Sequence, residues 1–113
     1  MRCHKTHGKL GNTPQQLWDK CFSKHSNVFL ICCGDQSRTQ ALHTTSKGKH
    51  GNKVHECLSD YREGYLRIYR FDPGENRISV MTYSPPLQKL CDGTKIVPDA
   101  DQHQFVLDYE MSK

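Results

Sequence analysis

GNKVHECLSDYREGYLRIYRFDPGENRISVMTYSPP, residues 51–86, is the stretch whose reading decides the fold. Gly51-Asn52 closes a turn, and Val54 to Tyr61 then predicts a strand. Tyr65 to Phe71 alternates, with Leu66 and Ile68 on one face and Arg67 and Tyr69 on the other, which is the period of a strand. Asp72-Pro73-Gly74-Glu75-Asn76 predicts a hairpin loop, because Pro presets φ and Gly supplies a positive one. Arg77 to Tyr83 is the return strand, with Ile78 and Val80 inward. Ser84-Pro85-Pro86 stops it, since Pro has no N–H to give a ladder.

Outward from this hairpin the chain stays legible. Val28-Phe29-Leu30-Ile31-Cys32-Cys33 is a short, continuous apolar run bounded by Gly34, which predicts a strand covered on both sides. Ahead of it Thr13 can N-cap a helix, Pro14 suits its first position, and Gln16 completes a capping box. Leu17, Trp18, Cys21 and Phe22 share one face of that helix; Asp19, Lys20 and Ser23 take the other. The pattern predicts an amphipathic helix of about three turns. Residues 1–11 are polar and read as a flexible arm. From Asp35 to Asn52 the chain is polar, with a short strand around Arg38 to His43 and a turn at Gly48 to Asn52. Leu87 to Gln102 reads as a loop. Gln104 to Met111 alternates again, with Phe105, Leu107, Tyr109 and Met111 on one face of a closing strand.

The expected fold class is α+β, a truncated α/β sandwich. One main helix packs on a mixed, mainly antiparallel sheet of about five strands. The expected domain organisation is an arm at 1–11 and a single domain at 12–113.

Among 113 residues, 16 Lys and Arg against 12 Asp and Glu leave a formal charge of +4. The densest basic patch is Lys47, Lys49, His50 and Lys53, set among glycines. A nucleic-acid binder usually pairs a basic stripe with a recognisable module, and neither is present. No apolar run approaches the ~20 residues of a membrane span. Met1-Arg2-Cys3-His4-Lys5 is polar and does not read as a signal peptide. The expected location is the cytoplasm, or an exported one if the chain is cut from a longer precursor. Cys3, Cys21, Cys32, Cys33, Cys57 and Cys91 lie mostly in apolar patterns, which favours reduced core thiols over a disulfide framework.

No GxGxxG, Walker A or nucleophile-elbow pattern occurs, so nothing points to dinucleotide, triphosphate or acyl chemistry. Cys3-His4-x-x-His7 carries zinc-type ligands, but a structural site needs four. Cys21 and His25 are the nearest others, and a loose polar arm explains the same residues. His55 and Cys57 share a strand face and could pair a thiol with a base. The plainer reading is a solvent-side His beside a half-buried Cys. Asp35, Asp60 and Asp72 fall at strand ends, where open α/β sheets hold ligands and where turns also favour Asp.

Three segments in order carry a family resemblance: NTPQQLWDKCFSKHSNVFLICCGD at 12–35, the 51–86 stretch, and QFVLDYEM at 104–111. Together they resemble the C-terminal part of a calcineurin-like metallophosphoesterase, of the purple-acid-phosphatase-like superfamily. There, a helix with a Leu-Trp pair leads into a buried strand ending in a Gly-His turn. A strand ending near Asp-Tyr, a GYLR-type strand, a TYSP strand and an F-x-L-D strand follow. The resemblance implies phosphoric ester hydrolysis by two divalent metals (Mn, Fe or Zn) held by His, Asp and Asn. The family's Asp-x-His, Gly-Asp-x-x-Asp and Gly-Asn-His motifs do not occur here. Its lone-His motif corresponds at best to His4 or His7. Its Gly-His-x-His motif is replaced by Gly34-Asp35-Gln36-Ser37, which leaves Asp35 as an oxygen ligand and Gln36 as a hydrogen-bonding group. The candidate metal ligands are therefore Asp35, His4 and His7.

The resemblance implies half of a two-sheet sandwich, so a homo-oligomer or a missing N-terminal half is the expected partner. Three functions follow as expectations. The chain is a fragment or relic without hydrolase activity alone. It is a phosphoesterase once an N-terminal half or an oligomer completes it. Or it is a small interaction module that uses a sheet edge.

Overall fold

The Thr13-Pro14 signature starts a helix in the computed structural model, which describes residues 10–35, 39–62 and 64–111. Helix α1 spans Pro14–Lys20. Gln16 N–H donates to the Thr13 hydroxyl at 3.1 Å, and Thr13 N–H donates to Gln16 Oε1 at 2.8 Å, so the capping box is complete. The helix is seven residues long, shorter than the three turns expected. Cys21 leaves helical geometry at φ −132° and ψ −75°, and a 3-10 turn at Phe22–Lys24 carries the pattern on. Leu17, Trp18 and Phe22 are half-buried, while Cys21 is exposed.

Seven strands follow among the described residues: β1 Leu30–Cys33, β2 Ala41–Lys47, β3 Lys53–Ser59, β4 Leu66–Asp72, β5 Arg77–Ser84, β6 Lys89–Leu90 and β7 Phe105–Asp108. One main helix packed on mixed and antiparallel sheet makes this an α+β fold, as the sequence predicts. The strands lie in two sheets. The described residues fall into two compact units, divided between Asp60 and Tyr61.

The first unit holds a three-stranded sheet in the order β1-β3-β2. β1 runs parallel to β3, and β2 runs antiparallel to it. Here one expectation is corrected. The fully covered strand is β3, where Val54 and Cys57 are 0% exposed and Leu58 1%. β1 is half-buried with Cys32 exposed. The reason is topological: β3 has a neighbour on each side, whereas β1 lies at the rim of its sheet despite its apolar sequence.

In the second unit β5 pairs with β4 along one side and with β6 and β7 along the other, all antiparallel. Ile78 and Val80 point inward as the alternation predicts, with Leu107 of β7 opposite Ile78. The inner face of β4 is the one carrying Arg67 and Tyr69, which pair with Thr82 and Val80. Leu66 and Ile68 lie on the exposed face. The 72–76 hairpin turns through a 3-10 segment at Pro73–Glu75, and the positive φ expected at Gly74 falls instead on Asn76, which follows the segment at φ 49°. Asn is among the few residues besides Gly that adopt this conformation readily.

Cys57 and Cys91 are buried free thiols, whereas Cys21 and Cys32 are exposed, so the core-thiol expectation holds for only part of the set. No helix among the described residues is long and apolar enough to cross a membrane.

Candidate functional site

Because β1 and β3 are parallel, both deliver their C-terminal ends to one rim of the sheet. The register ends at Cys33 opposite Leu58 and leads into Gly34-Asp35 and Ser59-Asp60. Space at Gly34 is tight: a Cβ on it would stand 3.1 Å from the Ser59 carbonyl oxygen. Asp35 is exposed and left-handed, at φ 55°. Asp60 N–H donates to the Gln40 carbonyl at 2.9 Å, which fixes the strand end against the entry to β2. Ligands of open α/β sheets bind outside the carboxyl ends of parallel strands. Asp35 and Asp60 are hard oxygen donors at such a place.

The other nominated residues distribute differently. Asp72 belongs to the hairpin of the second unit, where its side chain accepts the Glu75 N–H at 3.3 Å. His4, His7, Gln36 and Ser37 lie outside the described residues, as does Cys3. Among the described residues, no group of three or more His, Cys, Asp or Glu is arranged to hold a metal ion.

His55 and Cys57 do share a face of β3, but both are buried, at 3% and 0% exposure, which corrects the solvent-side reading of His55. The neighbour of His55 is an imidazole: His43 Nε2 lies 3.3 Å from His55 Nδ1. On the opposite face of β3, buried Glu56 accepts the Ser46 hydroxyl at 2.5 Å.

The second unit contains a polar network that sequence reading did not single out. His103 is fully buried. Its Nε2 lies 2.8 Å from the Val97 carbonyl, which can only accept, so Nε2 carries the proton. With Nε2 as the donor, Nδ1 faces the Tyr61 hydroxyl at 2.5 Å and accepts from it. Arg67 Nη2 donates to Tyr61 Oη at 2.7 Å and to the Gln102 carbonyl at 2.9 Å, and Arg67 Nε donates to Thr82 Oγ1 at 3.2 Å. Thr82 has one hydroxyl proton. It goes to the His103 carbonyl at 2.8 Å rather than to Tyr61 Oη at 3.4 Å. The guanidinium carbon also lies 5.4 Å from the Tyr61 ring centre and 5.2 Å from that of Phe105. Each group in this chain of bonds holds the next, and a satisfied buried network of this kind rigidifies the core around it.

Burial pushes the Tyr61 phenol above its ordinary range, against the opposing pull of Thr82 and Arg67. A raised folded-state value means that the unfolded chain gives up the phenolic proton first. The associated stability is complete below about pH 10, the usual phenol value, and is lost as pH rises above it. Urea unfolding at intervals from pH 8 upward should show this decline, and Tyr61→Phe should flatten it. An identical slope in both proteins would exclude Tyr61 as the source.

Comparison with known proteins gives little to set beside this geometry. No protein-family model matches the chain. No solved structure matches it. A similar sequence is the uncharacterized protein YvnB of Bacillus subtilis (strain 168), 28% identical over 81 residues. The matched region takes in 63% of this chain and 6% of the length of YvnB.

Proposed function

We propose that this chain is a portion of a calcineurin-like metallophosphoesterase fold that lacks hydrolase activity by itself. The observation that supports the reading is the order of elements. A helix bearing Leu17-Trp18 leads to β1, which ends at Gly34-Asp35. Then follow β3 ending at Ser59-Asp60, the β4–β5 hairpin and the closing strand β7. This is the sequence of segments that the family resemblance implies, with the Gly34-Asp35 turn at a parallel strand end where that family carries ligands.

The donor set argues for inactivity. The described part of the strand-end rim offers two carboxylates, Asp35 and Asp60, and no imidazole completes a group of three ligands with them. A two-metal clamp requires more donors than this. The described residues do not fit the family's metal pair, and no catalytic step is assigned through it.

Aryl phosphate hydrolysis in the presence of Mn²⁺ tests the reading. The isolated chain should turn over no faster than Mn²⁺ alone. A higher rate that Asp35→Ala abolishes would overturn the inactive reading. The coding sequence on either side is a second test: an adjoining frame with the Asp-x-His, Gly-Asp-x-x-Asp and Gly-Asn-His motifs supports the metallophosphoesterase origin.

A further inference from the structure

One pair of side chains stands apart from the strand-end rim and from the Tyr61 network. His43 lies on β2 and His55 on β3, the two strands paired antiparallel with Thr45 opposite His55 and Cys57 opposite His43. The two imidazoles are therefore diagonal neighbours on one face of the sheet. Their ring centres are 5.5 Å apart and their planes tilted by 32°. We infer that His43 and His55 form a chelating site for a borderline divalent cation of the Zn²⁺ class.

The spacing carries the argument. Two imidazole nitrogens bound to a tetrahedral ion at about 2.0–2.1 Å each stand about 3.3–3.4 Å from one another. His43 Nε2 and His55 Nδ1 are 3.3 Å apart. The pair thus holds, as a hydrogen bond, the separation that a shared cation needs, and turning the rings out of that bond, chiefly His43 on the rim strand, aims both lone pairs at one point. Imidazole selects Zn²⁺, Ni²⁺ or Cu²⁺ over Mg²⁺ or Ca²⁺.

Rigidity and access are both provided. His55 is held in the central strand at 3% exposure, so its ring is positioned by packing. His43 is half-buried on β2, which ends the order β1-β3-β2, and it gives the cation a route from solvent. Binding to the two imidazoles balances without net proton release. One facing nitrogen carries the hydrogen-bonded proton; that proton moves to the far nitrogen of its own ring, and both facing nitrogens become neutral donors. Water fills the remaining positions of the ion.

The experiment uses the full chain with its thiols kept reduced, titrated with Zn²⁺ by calorimetry and with Co²⁺ by visible absorption. Cys3, His4 and His7 are competing ligands, so the titration is repeated in Cys3→Ser/His4→Gln/His7→Gln. The expected result is one equivalent of Zn²⁺ bound in both proteins, with the imidazole C–H resonances of His43 and His55 moving in NMR spectra. His43→Gln should weaken binding at least tenfold. If His55→Gln fails to fold, His43→Gln and the resonance shifts decide alone. Binding unchanged by His43→Gln, binding lost in the triple variant, or no binding at all overturns the site. None of these outcomes depends on Asp35 or on phosphatase activity, so this site and the function proposed above fail separately.

Discussion

Arg67→Ala should lower stability by about 3 kcal/mol, because charge-assisted hydrogen bonds contribute about 1.5–3 kcal/mol each and overlap when shared. The guanidinium serves Tyr61, Gln102 and Thr82 at once and lies over two aromatic rings. Truncation removes those bonds and uncovers the ring faces. Arg67→Lys should recover less than half of the loss, since an ammonium is a point donor and cannot reproduce the planar fork. Guanidinium unfolding at neutral pH measures both. A cost below about 1 kcal/mol for Arg67→Ala would show the network to be replaceable by water.

Gly93→Ala should cost a similar amount, about 2–4 kcal/mol, through backbone strain rather than lost bonding. A Cβ at residue 93 would stand 2.5 Å from the Pro98 carbonyl oxygen and 3.2 Å from its carbon, and φ is +153°. Those neighbours are main chain, so no side-chain rotation relieves the overlap. The loop is pinned: Thr94 N–H donates to the Val97 carbonyl at 2.8 Å, and Val97 N–H donates to Thr94 Oγ1 at 2.9 Å. The same Val97 carbonyl accepts the His103 Nε2 proton. Spreading the loop therefore loosens His103 and uncovers Cys91, which is 0% exposed. Thiol-labelling rates at Cys91 should rise with the stability loss. Native-like protection of Cys91 in Gly93→Ala would refute the argument.

These two positions illustrate what the sequence made legible and what it hid. The capping box at Thr13 and Gln16 and the 72–76 hairpin are local, so adjacent residues announce them. The inward set of β5 followed from alternation alone. The inner face of β4 was harder, because Leu66 and Ile68 look like core and Arg67 does not. What turns Arg67 inward is a set of acceptors that arrive from Tyr61, Thr82 and Gln102, and no window of sequence contains them all. His103 was hidden for the same reason, between the 87–102 loop and the closing strand expected from Gln104. The strand-end position of Asp35 and Asp60 was legible in part. Each was marked as ending a strand, but only the parallel pairing of β1 with β3 brings the two to one rim.

The order β1-β3-β2 also governs how the chain can assemble as it is made. Translation delivers β1 first, yet among the described strands its partner is β3, the last of the three to leave the ribosome. β2 and β3 are joined by the tight turn in which Gly48 N–H reaches the Asn52 carbonyl at 2.8 Å, so they zip together over a short loop. Closing the longer span from β1 costs more chain entropy and comes later. Throughout that interval the apolar run from Val28 to Cys33 waits with its ladder unmade, and that nascent segment is where a chaperone would have most to shield.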